Sequence, residues 1–165
     1  MGVSPTVIPP NASPYEIKMI QKYKSKIFKN SLRIYNDPEL EDIKFVDVFN
    51  IHTLYVQQCF NVKLNSTPQN ITTLQIYACR LSNLEGIQQM KQLVSLSLNQ
   101  NNIKDISQLG TMQQLMHLDL DKNFIEDLDA LKTLVNLKTL SIRQNNIQDK
   151  NMPAIRGLKG LQLIL

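Results

Sequence analysis

The 165-residue chain has no tryptophan, only two histidines and five glycines, and an aromatic fraction of 6%. It contains no glycine-rich loop of the kind that cradles phosphates, which excludes nucleotide-binding fingerprints of that type. The two histidines form no Ser/His/Asp or Cys/His arrangement that can be placed on one face. We therefore predict a protein without enzymatic activity or cofactor, whose core is filled by aliphatic side chains.

Long apolar runs and a strong charge imbalance are also missing. No run approaches the ~20 apolar residues of a membrane span. The N-terminal sequence MGVSPTVIPPNASP lacks the basic start and apolar stretch of a secretory signal. A net charge of +4 is too small to indicate a nucleic-acid partner. We therefore predict a cytoplasmic protein that does not bind nucleic acid and whose two cysteines are reduced.

One pattern of apolar residues returns after 22 residues. LVSLSLNQNNIKDISQLGTMQQ begins at Leu93, and LMHLDLDKNFIEDLDALKTLVN begins at Leu115 with Leu, Asn and Ile at the same offsets. Another such unit begins at Ile71, a 24-residue unit at Leu137, and a 20-residue unit at Ile51. Self-similarity at this period predicts a solenoid, because one coil buries its apolar residues only against neighbouring coils.

The Leu-x-Leu of each unit alternates as a β-strand does, so both leucines face the core and the residue between them faces away. We expect Leu96, Leu118 and Leu140 to lie side by side. A residue that follows each strand can satisfy backbone groups at a turn. We predict that these residues stack into a ladder: Asp37, Cys59, Cys79, Asn101, Asn123 and Asn145. Adjacent ladder cysteines also permit a disulfide, although reduced thiols are expected in a reducing compartment.

The pattern L-x-x-L-x-L-x-x-N/C-x-L/I resembles that of the leucine-rich repeat family over roughly residues 30–165. Its spacing is similar to the short 22-residue class that includes a phosphatase regulatory subunit, internalin-type proteins and a dynein light chain. The resemblance implies an α/β solenoid, a right-handed coil stack with a parallel concave sheet and short helices or 3-10 turns on the convex side. The units lie near 29–50, 51–70, 71–92, 93–114, 115–136 and 137–160, with a truncated unit at 161–165.

Family members commonly use the concave sheet to bind partner proteins, so the resemblance implies an interaction module or adaptor. A narrower alternative is a regulatory subunit of a protein phosphatase. Tyrosine is a residue type that interfaces favour, and an acidic strip follows the tyrosines along the sheet. The predicted partner-binding residues are Tyr35, Tyr55, Tyr77, Asn99, His117, Asp119, Asp121 and Arg143. We expect no metal at the His-x-Asp-x-Asp segment, because same-face neighbours on a strand lie about 6.6 Å apart.

Two hypotheses concern the N-terminal region. Residues 1–12 are proline-rich and predicted to be disordered. Residues 13–29 are predicted to form a helix that caps the first coil, with Ser13 as N-cap and Glu16 completing a capping box. Alternatively, the Lys-rich face of this helix and Gly2, which matches the myristoylation pattern, would make the protein a membrane-associated adaptor.

The sequence LQLIL at residues 161–165 carries no polar cap, although terminal repeats normally have a polar outer face. The last coil would therefore present an open strand edge. One hypothesis is that a partner or a second copy of the chain covers this edge, so that the protein self-associates.

Overall fold

The computed structural model describes residues 8–165, which form a stack of coils around one parallel sheet. The strands follow chain order as β1 Ser31–Tyr35, β2 Thr53–Gln57, β3 Thr73–Tyr77, β4 Ser95–Ser97, β5 His117–Asp119, β6 Thr139–Ser141 and β7 Gln162–Ile164. Leu96 pairs with Leu118 in register, and Leu118 pairs with Leu140. All three leucines are buried, as expected. The predicted α/β solenoid with a parallel sheet is confirmed.

Short 3-10 helices return the chain from the end of one strand to the start of the next. Their bounds are Lys44–Val48, Ile87–Gln89, Ser107–Thr111, Asp129–Thr133 and Asp149–Asn151, and a short α-helix at Pro153–Arg156 follows the last of them. The side chain of Asp105 accepts the backbone N–H of Ser107 at 2.8 Å, and Asp127 accepts that of Asp129 at 2.7 Å. These Asx turns fix where the helices begin, and the prediction of 3-10 turns opposite the sheet is confirmed.

The coil that begins at Ile51 lacks a return helix and packs instead against the next coil. The hydroxyl of Thr67 donates to the carbonyl of Gly86 at 3.2 Å, and both Thr67 and Pro68 are buried. Gly86 has a φ of 95°, and a Cβ there would lie 1.9 Å from the carbonyl oxygen of Leu64. The close approach of two backbones therefore requires glycine at this position.

An α-helix, α1 Pro14–Tyr23, covers the first coil. Its capping box forms as predicted: the Ser13 hydroxyl accepts the N–H of Glu16 at 3.2 Å, and the Glu16 carboxylate accepts the N–H of Ser13 at 2.8 Å. The ring of Tyr23 stacks on Phe45 with centroids 5.7 Å apart. Since Met19, Ile20 and Tyr23 are buried, α1 shields the apolar end of the stack.

The α-helix ends earlier than the predicted boundary at Lys29. A 3-10 helix at Lys24–Lys26 follows it, and Phe28 and Ser31 then exchange backbone hydrogen bonds at 3.0 Å. Lys29 and Asn30 have φ values of 47° and 58°, which a right-handed helix does not allow. Within the predicted tail, residues 8–12 contain a turn, whereas residues 1–7, including Gly2, lie outside the described part of the chain.

Candidate functional site

A left-handed backbone turn follows the strand in each coil and directs the next side chain inward. The residues in this conformation, with φ between 49° and 58°, are Asn36, Gln58, Ala78, Gln100, Lys122 and Gln144. The ladder residue comes next. For Asn123, the amide oxygen accepts the N–H of Ile103 at 3.0 Å, and the amide nitrogen donates to the carbonyls of Leu98 and Leu120, also at 3.0 Å. The side chain thus joins neighbouring coils at the end of the sheet.

Cys59 and Cys79 occupy this ladder position as free, buried thiols. The N–H of Asp37 points to the sulfur of Cys59, and that of Cys59 to the sulfur of Cys79, each at 3.4 Å. Burial raises the pKa of both thiols, that of Cys79 to about 11. Since the thiolate is the nucleophile, these cysteines serve the framework and are poorly suited to chemistry.

The concave face of the sheet encloses an open cleft of about 730 Å³, lined by side chains from Arg33 in β1 to Ile164 in β7. The register places the predicted tyrosines in two rows. Tyr35 pairs with Gln57 and Gln57 with Tyr77, whereas Tyr55 pairs with Arg33. The three tyrosines therefore do not form one continuous cluster.

Arg33 connects two of these tyrosines at the N-terminal end of the cleft. Its guanidinium lies 4.2 Å from the centroid of the Tyr55 ring and donates a hydrogen bond to the Tyr35 hydroxyl at 3.3 Å. Arg33 is exposed, and it makes no ion pair with the described carboxylates. The predicted site omitted Arg33, although parallel pairing of LRI with LYV already sets it beside Tyr55.

Tyr77 lies toward the edge of the cleft and has a separate environment. Its hydroxyl donates to the side-chain oxygen of Gln100 at 2.6 Å, and 39% of the residue is exposed. Tyr35 is 49% exposed. Both rings thus retain apolar surface that an interacting molecule can cover.

The two aspartates of the predicted acidic strip differ. Asp119 is partly buried, and its carboxylate accepts hydrogen bonds from the Ser97 hydroxyl at 2.9 Å and from the Asp121 N–H at 3.0 Å. Asp121 is only 4% exposed. Its carboxylate accepts the Ser141 hydroxyl at 2.5 Å and both the backbone N–H and Nε of Arg143 at 2.8 Å. The assignment of Asp121 to the binding surface is therefore corrected, because Ser141 and Arg143 of the next coil enclose it.

Burial by itself raises the pKa of the Asp121 carboxyl. Hydrogen bonds from Ser141 and Arg143 and the positive charge of Arg143 outweigh that effect, so the pKa lies below its usual value. The carboxylate is consequently ionised at neutral pH and holds Arg143 by its Nε. The side chain of Arg143 is still 55% exposed, which leaves part of the guanidinium at the cleft.

His117 and Asn99 complete the predicted set. Nδ1 of His117 lies 2.9 Å from the Thr139 hydroxyl, and the histidine is exposed. Asn99 is partly buried, with its amide nitrogen 3.5 Å from Asp119. In the described part of the chain, no group of three His, Cys, Asp or Glu side chains is placed to hold a metal ion. The cleft therefore offers hydrogen-bonding groups rather than a ligand cage.

Comparison with protein families agrees with this geometry. A leucine-rich repeat model matches residues 113–165, which include β5, β6 and β7. The same ladder and strand register extend through the preceding coils. Residues 113–165 thus match a leucine-rich repeat model, and the described part of the chain has the leucine-rich repeat fold.

Three solved structures share the leucine-rich repeat fold of this chain. An internalin from Listeria monocytogenes has a TM-score of 0.63 at 22% identity, covering 81% of this chain and 40% of its own. A leucine-rich repeat protein from Leptospira interrogans has a TM-score of 0.65 at 23% identity, covering 82% of this chain and 36% of its own. Internalin C2 from Listeria monocytogenes gives 0.58 at 17% identity, covering 91% of this chain and 92% of its own. At these identities, the similarity shows the fold alone.

The chain spans about two fifths of the length of the first two structures. A search of curated proteins finds no significant match. Leucine-rich repeat proteins commonly mediate protein–protein interactions.

Two lysines of α1 face the first coil of the stack. Lys18 pairs with Glu39 at 2.7 Å, and Lys22 pairs with Asp37 at 2.9 Å and with Glu39 at 3.0 Å. These two side chains therefore contribute to docking of the helix as well as to its charge. None of the described helices has the length and hydropathy needed to cross a membrane.

Proposed function

We propose that this protein is a binding module that holds a partner protein against its concave sheet. The observation that carries the proposal is the exposed arrangement at the N-terminal end of the cleft, in which Arg33 stacks on Tyr55 and donates to Tyr35. Arginine and tyrosine are among the residue types enriched at the positions that contribute most binding energy at protein interfaces. A stacked guanidinium also loses less conformational entropy on binding than a free side chain does.

The partner should present a carboxylate to Arg33. Stacking on Tyr55 occupies one face of the guanidinium and leaves other N–H groups available, and no described carboxylate neutralises the charge. A carboxylate accepts paired hydrogen bonds from a guanidinium in good geometry. Aliphatic or aromatic residues next to this carboxylate in the partner would cover the exposed rings of Tyr35 and Tyr77.

Asp119 carries a negative charge, opposite in sign to that of Arg33, and this difference would set the orientation of the partner along the cleft. Asp119 lies in β5, four strands from Arg33 in β1, which corresponds to about 19 Å at ordinary strand spacing. His117 lies beside it on the same strand. Such separation of a cation and a carboxylate favours one direction of binding, because the reverse direction brings like charges together.

The test is quantitative affinity purification from the native cell with three versions of the chain. The first is the wild type, and the second carries Tyr55→Ala, Tyr77→Ala and Asp119→Ala. The third is a control on the convex side with Lys132→Ala and Val135→Ala, both of which are exposed positions. The triple variant should bind these partners at least about tenfold less than the wild type does, and the control should retain them. If the triple variant still retains every partner of the wild type, the proposal fails.

Two narrower roles stay predictions. A phosphatase regulatory subunit requires a phosphatase catalytic subunit among the purified partners. A membrane-associated adaptor requires acylation of Gly2, which mass measurement of the native N-terminus detects directly. Self-association through the last coil likewise stays a prediction, and light scattering across a concentration series measures it.

A further inference from the structure

A second exposed surface lies on the flank of the stack, where each coil leaves its strand. Side chains immediately before and after the ladder residue form two strips, and a groove of about 400 Å³ runs between them. We call this surface the flank groove. Phe60, Arg80, Lys122 and Phe124 line it, together with amide side chains that include Gln100.

The two phenylalanines are unusual for their position. Phe60 is 51% exposed and Phe124 is 46% exposed. The equivalent positions in neighbouring coils hold the exposed polar residues Arg80, Asn102 and Asn146. The fold therefore does not require an apolar side chain there. Exposed aromatic rings offer apolar surface that a partner can cover, and aromatic residues are favoured at interfaces.

The charge of the flank groove has one sign. Arg80 and Lys122 line it, and no aspartate or glutamate does. The guanidinium of Arg80 lies 4.6 Å from the centroid of the Phe60 ring. Neither cation forms an ion pair with a described carboxylate. A ligand that complements this groove must therefore combine negative charge with apolar groups.

Backbone hydrogen bonds between coils hold the groove in shape. The N–H of Phe124 donates to the carbonyl of Ile103 at 2.9 Å, and that of Lys122 donates to the carbonyl of Arg143 at 2.8 Å. The left-handed turn at Lys122, with a φ of 55°, aims the two side chains to either side of the buried ladder residue. A rigid groove of this kind binds with little ordering cost.

We propose that the flank groove binds an extended acidic segment of a partner protein, with apolar side chains of that segment packed on Phe60 and Phe124. Phe60 and Phe124 lie three coils apart, about 14 Å at ordinary strand spacing, which four or five extended residues span. Arg80 and Lys122 lie two coils apart, about 10 Å, which matches carboxylates three residues apart in such a segment.

This site is distinct from the concave cleft of the proposed function. The strand end and the left-handed turn separate the two surfaces, and Gln100, which accepts the Tyr77 hydroxyl at 2.6 Å, lies at the boundary. Substitutions of Arg33 and Tyr55 therefore leave the flank groove unchanged. A failure of one proposal is distinguishable from a failure of the other.

The test uses a phage-displayed library of random peptides about 12 residues long. It is panned against the full chain, and the enriched clones are then measured by fluorescence polarisation as synthetic peptides. Two variants are measured in parallel. The flank variant carries Arg80→Glu and Lys122→Glu, and the concave variant carries Arg33→Glu and Tyr55→Ala. Thermal melting checks that both variants remain folded. We expect them to fold, because Arg80, Lys122 and Arg33 are exposed and Tyr55 is partly exposed.

The expected result is a family of acidic, apolar peptides that bind the wild type and the concave variant equally. These peptides should bind the flank variant at least about tenfold more weakly. They should also bind a third variant, Phe60→Ser with Phe124→Ser, more weakly than the wild type, and their affinity for the wild type should fall at raised salt. Failure of acidic peptides to enrich, or their undiminished binding to the flank variant, would overturn the proposal.

Discussion

Asp121 and Arg143 join two neighbouring coils through two hydrogen bonds to one buried carboxylate. The backbone N–H and the Nε of Arg143 each lie 2.8 Å from an oxygen of Asp121, and the Ser141 hydroxyl donates a third bond. An aspartate on the face predicted to meet a partner thus holds the sheet together. Because Asp121 is buried, the partly buried Asp119 is the acid of this strip that lines the cleft.

Replacement of Asp121 by Asn should destabilise the fold by about 1–3 kcal/mol at neutral pH, because donors from Ser141 and Arg143 lose their charged acceptor. The measurement is urea unfolding of the purified chain. Asp105→Asn is the matched control, since Asp105 is exposed and the preceding coil has Asn83 in the same Asx turn. The control should change the free energy of unfolding by less than about 0.5 kcal/mol.

Stability should fall in acid partly because of Asp121 and Asp37. Hydrogen bonds lower the pKa of both carboxyls despite burial, in Asp37 through Tyr23 and Lys22. A lowered pKa gives stability that is fully present above the unfolded value of about 3.9 and is lost as pH falls through the folded value. Asp121→Asn should therefore flatten the acid slope of the urea midpoint, and an unchanged slope would contradict this assignment.

Substitution of two asparagines in the C-terminal half of the stack should change the free energy of unfolding by very different amounts, because only Asn123 lies in the ladder. Asn123→Leu removes an acceptor for Ile103 and donors for Leu98 and Leu120, so it should cost about 2–4 kcal/mol. Asn146→Ala, at an exposed position, should cost less than about 0.5 kcal/mol. Thermal and urea unfolding measure both variants, and equal effects would show that the ladder bonds contribute little.

Alanine substitutions at two glycines should have different effects on stability. Gly86→Ala places a Cβ 1.9 Å from the carbonyl oxygen of Leu64 and imposes a φ of 95° on a non-glycine residue, so we expect a loss of at least about 2 kcal/mol. Gly157 has a φ of −79° and no atom within 4 Å of the added Cβ. Gly157→Ala should be neutral or stabilise by up to about 1 kcal/mol. The unfolding midpoints of the two variants, each compared with that of the wild type, test both expectations.

The ladder thiols should react slowly with a maleimide or a disulfide reagent in the folded chain. Burial raises the pKa of Cys59 and Cys79, so little thiolate exists at neutral pH. The rate should rise toward the free-thiol rate only after denaturation. Fast labelling of the native chain, followed by mass spectrometry, would contradict the buried positions.

Local repetition made much of the fold predictable from sequence. The Leu-x-Leu pattern placed Leu96, Leu118 and Leu140 correctly, because strand alternation depends only on near neighbours. The capping box at Ser13 and Glu16 was predictable for the same reason. The end of α1 at Tyr23 was not, because the turn between Phe28 and Ser31 competes with an otherwise favourable helical pattern.

The candidate site was less predictable, since contacts between coils decide which side chains remain exposed. Asp121 appears exposed in the repeat pattern, and only Ser141 and Arg143 of the next coil enclose it. Arg33 could have been found from its register with Tyr55. Phe60 and Phe124 also carried a signal, as aromatic residues directly after a ladder position, where the pattern requires no apolar side chain.

Site-specific photocrosslinking in the native cell tests the central claim most directly. A benzophenone side chain replaces Tyr55 in the concave cleft in one version, and Val135 in a second. Val135 is the matched control, because it is 67% exposed and follows the helix Asp129–Thr133 on the convex side. Concave-sheet binding predicts a discrete crosslinked protein from position 55 and none from position 135. The same product from both positions, or a product from position 135 alone, would contradict it.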